Sequence, residues 1–100
     1  MMEYAERLAE LSNQFLRYQK EERELFWREW QRQEDGVMIK DRSLVFNGRT
    51  GDVLYDQHVE ERSYVRRRLR ILRYYIQKLV NSGRLENRDY RYLQENELMT

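Results

Sequence analysis

The sequence predicts a mainly α fold with a small β-hairpin (α+β): long helix, β-hairpin, long basic helix, short C-terminal helix, with the long helices paired antiparallel. Three observations predict it. Two long stretches at the helical period hold no proline or glycine, turn chemistry separates them, and a third periodic stretch follows a second glycine. At 100 residues the chain is expected to form a single domain over 1–100.

Residues 2–34 are rich in Glu, Arg, Gln, Leu and Ala, good helix formers, and predict one helix of about 30 residues. Tyr4, Leu8, Leu11, Phe15, Tyr18, Leu25 and Phe26 mark its apolar face, with Trp30 at the edge. Glu22 interrupts that face. Leu16 and Trp27 lie a quarter-turn away with Ala5 and Ala9, a second and weaker strip that asks for a second neighbour.

Gly36 is expected to cap this helix. The tight-turn segment Asn47-Gly48-Arg49-Thr50-Gly51 then predicts a hairpin of 43–46 with 52–55, with 37–40 as a third short strand. From His58 to Ser82 runs the basic helix. Val65, Leu69, Leu72, Ile76 and Leu79 form a coiled-coil-like seam, and the helix stops at Asn81, Ser82 and Gly83. A last helix of about ten residues is expected after a cap at Asn87, carrying Tyr90, Tyr92, Leu93 and Leu98, with a frayed end.

An antiparallel pair has a nearly constant sum of contacting positions. A sum near 90 matches Leu25 with Val65, Tyr18 with Leu72, Phe15 with Ile76 and Leu11 with Leu79, and places Glu22 beside Arg68. A charge in either position would be costly to bury alone, so the two are expected to pair.

Composition limits the function classes. The chain has no cysteine, which removes disulfides, thiolate chemistry and cysteine zinc sites, and 37% charged residues argue against a membrane protein. The acidic N-terminus lacks a signal peptide's apolar core, so a cytoplasmic location is expected. Net charge is +1 but unevenly spread: residues 1–36 hold six basic and nine acidic side chains, residues 57–83 seven basic and two acidic.

Stepping 100° per residue, Arg62, Arg66, Arg70 and Arg73 fall in one arc of about 80°, with Arg67 further round. This row, with Tyr74 beside it, is the candidate binding face for a protein partner or, as the alternative, for the phosphates of a nucleic acid. Leu16, Trp27 and Ile71 are the candidate interface of a homodimer, because 13% aromatic residues exceed what so small an interior holds. His58 with Asp52 and Asp56 is a weak metal-site pattern, so a metal-dependent hydrolase or nuclease ranks third. Asp56 is more simply a cap. There is no phosphate loop, nucleophile elbow or HExxH motif, and no catalytic residue, metal or cofactor is expected. The chain is expected to be a non-enzymatic regulatory or adaptor protein acting by macromolecular binding.

Overall fold

The computed structural model describes residues 3–40 and 53–100. Its elements are α1 (Glu3–Arg28), β1 (Trp30–Arg32), β2 (Met38–Lys40), α2 (Val53–Ser82) and α3 (Asn87–Glu95). The fold is mainly helical with a two-stranded antiparallel sheet, the class the sequence predicts. Two compact units make up the chain, one of Met1–Gln19 with Arg67–Thr100 and the other of Lys20–Arg66.

The first unit buries Leu11 and Tyr18 of α1, Leu72 and Leu79 of α2, Leu93 of α3, and Leu85, Leu98 and Met99 outside the helices. Burying each leucine contributes roughly 1.5–3 kcal/mol, which makes this leucine cluster the main source of cohesion. Leu11 and Tyr18 are one heptad apart, as are Leu72 and Leu79, so each helix presents one stripe to the other. The pairing is antiparallel: Arg73 lies over the Phe15 ring and Arg68 donates to the Tyr18 hydroxyl.

Gly83, at φ +78, ends α2 by donating to the Leu79 carbonyl at 2.8 Å. The cap of α3 is Glu86, one residue before the expected Asn87, because the Asp89 carboxylate reaches back to accept the Glu86 N–H at 2.9 Å. The expected fraying at the C-terminus is also overturned. Leu98 and Met99 are buried, and the Thr100 N–H and hydroxyl both donate to Glu10 at 2.7 Å.

In the second unit α1 stops at Arg28, short of the expected 34, and Trp30 opens a strand. The hairpin pairs Trp30 with Lys40, Gln31 with Ile39 and Arg32 with Met38. Its turn is closed by the Gly36 N–H on the Gln33 carbonyl, 2.9 Å, and the Gln33 N–H on the Val37 carbonyl, 2.8 Å. Gly36 sits at φ +85, the left-handed residue that a three-residue hairpin loop requires. The Asp-Gly pair expected to cap a helix therefore turns a hairpin, and the expected strand at 37–40 is its second arm.

The hairpin expected at 43–46 and 52–55 is corrected where it can be compared. Residues 43–46 and the Asn47 to Gly51 turn lie outside the described residues, and Val53 to Tyr55 belong to α2. The basic helix thus begins five residues before His58. Nothing between Val53 and His58 breaks a helix, and Asp56 lies in the first turn, where a carboxylate complements the helix dipole. No helix among the described residues is long and apolar enough to cross a membrane.

Candidate binding surface on the arginine helix

The arginines that form one row by spacing are put to different uses. In the second unit Arg62 donates to Glu22 at 3.2 Å and to Glu29, and the Arg66 Nε donates to the same Glu22 oxygen at 3.1 Å. Arg62 keeps only 17% of its side chain exposed. Two members of the expected phosphate-binding row are therefore held by Glu22 of α1, and one of them also by Glu29 in the turn after it.

Glu22 was expected to meet Arg68; the partners seen for it are Arg62 and Arg66. Arg68 is buried, donating to the Tyr18 hydroxyl at 2.8 Å and to the Asn96 carbonyl. That carbonyl belongs to the C-terminal cap of α3, where the helix dipole favours a cation.

His58 is the seam residue one heptad before Val65 and is 3% exposed. Its Nε2 lies 2.9 Å from Glu29, not among the carboxylates expected to flank it: Asp56 is exposed and Asp52 lies outside the described residues. Burial pushes the Glu29 carboxyl up, but hydrogen bonds from His58 and Arg62 and the charge on Arg62 outweigh it and hold it below the ordinary value. Among the described residues no group of three His, Cys, Asp or Glu side chains could hold a metal ion. The cluster joins helix to helix. Heptad spacing, 58, 65, 72 and 79, was the signal in the sequence that His58 belongs to the seam.

In the first unit the remaining arginines part company. Arg73 lies 5.9 Å from the centre of the Phe15 ring and lines a groove with Ser12, Phe15, Leu16, Ile76 and Gln77. Arg67 and Arg70 are exposed, make no ion pair among the described residues, and line a separate groove of about 390 Å³ with Ile71, Tyr74, Tyr75 and Tyr92. The spacing 67, 70, 71, 74 puts four of the six on one face of α2.

The tyrosines form a ledge. Tyr74 and Tyr75 meet edge to face at 5.0 Å, and Tyr75 and Tyr92 lie 5.7 Å apart, linking α2 to α3. Tyr74 is 61% exposed. Burial and the nearby Asp89 carboxylate push the Tyr75 phenol up, so at neutral pH it is an O–H. Behind the ledge Lys78 and Asp89 form a 2.8 Å ion pair, which raises the lysine. The Asp89 carboxyl, pushed up by burial, is nevertheless held below its ordinary value by Lys78 and the Glu86 N–H. The groove is preorganised by this clamp.

The sequence named Arg67, Arg70, Ile71 and Tyr74, which the structure brings together, but missed Tyr75 and Tyr92 as their companions. The candidate dimer residues are not brought together. Leu16, 59% exposed, lines the Arg73 groove, Ile71 lines the tyrosine groove, and Trp27, 57% exposed, meets Phe26 and Trp30.

No family model, curated protein or solved structure matches the chain.

Proposed function

We propose that the chain is a non-enzymatic adaptor or regulatory protein of the cytoplasm that acts by binding another macromolecule, a protein before a nucleic acid, and works as a homodimer. The observation that carries this reading is the groove of Arg67, Arg70, Ile71, Tyr74, Tyr75 and Tyr92. Arginine and tyrosine dominate binding energy at protein interfaces because each offers a large, stiff, partly apolar surface with a polar end. Here two arginines stand beside three tyrosines with no carboxylate engaged among the described residues. In the second unit the exposed Phe26, Trp27, Ile39 and Tyr64 offer apolar surface to a second copy, and in the first unit Leu16 does.

The nucleic-acid reading keeps one supporting observation, since exposed Tyr74 beside Arg67 and Arg70 also suits a base stacked against a phosphate. It is the weaker reading, because Arg62 and Arg66 are already paired to Glu22 and the track of positive charge is interrupted. The test is capture from native lysate by the wild type and by an Arg67→Gln, Arg70→Gln double variant, with and without nuclease. A partner that survives nuclease and is lost by the variant supports the protein reading. Loss on nuclease turns it to nucleic acid, and capture that ignores both removes the groove from the function.

A further inference from the structure

We propose that the Arg67–Tyr92 groove docks an acidic peptide segment that also carries a large apolar side chain. This rests on the groove being the binding surface and adds the chemistry of its occupant. The argument is complementarity. The lining holds two guanidiniums and no carboxylate, so it presents positive charge that a partner must meet. Four other arginines of the chain are each met by an acid: Arg7 by Glu10, Arg28 by Glu61, Arg66 by Glu22 and Arg88 by Glu86. Arg67 and Arg70 have no such partner among the described residues.

Planar guanidinium forks match carboxylates in two parallel hydrogen bonds, and two arginines one helical turn apart suit two acids on one segment. Between and beside them lie Ile71 and the faces of Tyr74, Tyr75 and Tyr92, an apolar floor that a carboxylate would not cover and a leucine or aromatic ring would. A phosphate backbone satisfies the charges and leaves that floor to a base. It gains most of its affinity from a long run of cations, which Glu22 and Glu29 have shortened.

The groove's walls are held before any partner arrives. Tyr92 is fixed by α3, whose start is tied by Asp89 to Lys78 and to the Glu86 N–H, and whose end is tied to Arg68. Binding then orders only the arginine and Tyr74 side chains, which keeps the entropy cost low.

The experiment is selection from a displayed random dodecapeptide library on the intact chain at near-physiological salt, in parallel with the Arg67→Gln, Arg70→Gln variant and with Tyr74→Ala. Far-UV circular dichroism establishes that each variant is folded. The wild type should enrich peptides that combine Asp or Glu with Leu, Phe or Trp. The double variant should lose the acidic enrichment and keep the apolar one, and Tyr74→Ala the reverse. A peptide made from the selected pool should bind the double variant about tenfold or more weakly, the loss expected when charge-assisted bonds are removed. Selection of peptides with no acidic bias, or the same bias on the double variant, overturns the proposal while leaving a peptide-binding protein. A library that yields nothing, with a single-stranded oligonucleotide bound in an Arg67- and Arg70-dependent way, overturns both the proposal and the protein reading beneath it.

Discussion

Replacing Glu29 with alanine should be among the most destabilising polar substitutions in the chain. The side chain is 8% exposed and accepts from both His58, at 2.9 Å, and Arg62. A buried hydrogen bond to a charged group contributes about 1.5–3 kcal/mol, so two give roughly 3–6 kcal/mol. Arg62 keeps its Glu22 contact at 3.2 Å and some exposure to water, which reduces its share by about half. The expected loss is about 2.5–4 kcal/mol, close to the 3–5 kcal/mol typical of removing one partner from a buried pair. Glu29→Gln, which keeps an acceptor and loses the charge, should cost less, about 1–2 kcal/mol. Glu24→Ala is the control, an exposed position on α1 that should change stability by no more than about 0.5 kcal/mol. Urea titration followed by the fluorescence of Trp27 and Trp30 and by far-UV circular dichroism measures all three. A Glu29→Ala variant no less stable than Glu24→Ala would show that the cluster contributes nothing net, its desolvation offsetting its bonds.

Other expectations follow from the same geometry. Glu10, Glu29 and Asp89 are all held below their ordinary values, so the stability they contribute is present above the unfolded range of about pH 4 and is lost as pH falls through their lowered native values. Urea midpoints should fall on acidification below about pH 4, less steeply in Glu29→Ala; a flat profile refutes it. Glu97 holds φ +57 without being glycine, so Glu97→Gly should stabilise by up to about 1 kcal/mol, whereas Gly36→Ala, in open space at φ +85, should cost about 1 kcal/mol through strain alone; thermal melts that rank the two the other way would contradict the turn geometry. Light scattering should report about twice the chain mass of 12.6 kDa, and a monomer at micromolar concentration would remove the homodimer.

The helices were legible because their signals are redundant: Leu11, Tyr18, Leu25, Val65, Leu72 and Leu79 repeat at heptad steps, and all six are buried. The hairpin was legible in kind, and 37–40 was legible as a strand, whereas 53–55 belongs to α2. Asp35-Gly36 and Asn47-Gly48 carry the same turn chemistry, the first after a polar stretch and the second after Leu44, Val45 and Phe46, and the second lies outside the described residues. At the first, Trp30 leaves the helix to pair with Lys40, whose ammonium lies 5.5 Å from the centre of its ring. The C-terminus was read only in part: Leu98 was expected on a helix with a fraying end, whereas the helix stops at Glu95 and Leu98 and Met99 are buried beyond the Glu97 turn.

The binding face was the least legible part, and the reason is physical. On α2 the residues Arg62, Arg66 and Arg70 are equivalent by spacing, each four from the next, so periodicity assigns them one role. What separates them is the other helix. Glu22 and Glu29 lie in the unit that holds Arg62 and Arg66 and accept from both. In the unit that holds Arg67 and Arg70, the carboxylates of α1 with contacts are otherwise occupied, Glu10 by Arg7 and Thr100, and the carboxylate of α3 nearest the ledge, Asp89, holds Lys78. An arginine is spent inside the fold or left for a partner according to where the acids of a different helix fall. Arg67 and Arg70, with no ion pair among the described residues, line one groove with Tyr74, the most exposed large apolar side chain in the described residues. Moving one acid should therefore move the function. A Tyr75→Glu substitution, placing a carboxylate on the ledge between Arg70 and Tyr92, should give those arginines an internal partner and block the groove with the helix intact. If peptide binding survives that change undiminished, the vacancy of Arg67 and Arg70 is not what makes the groove a binding site.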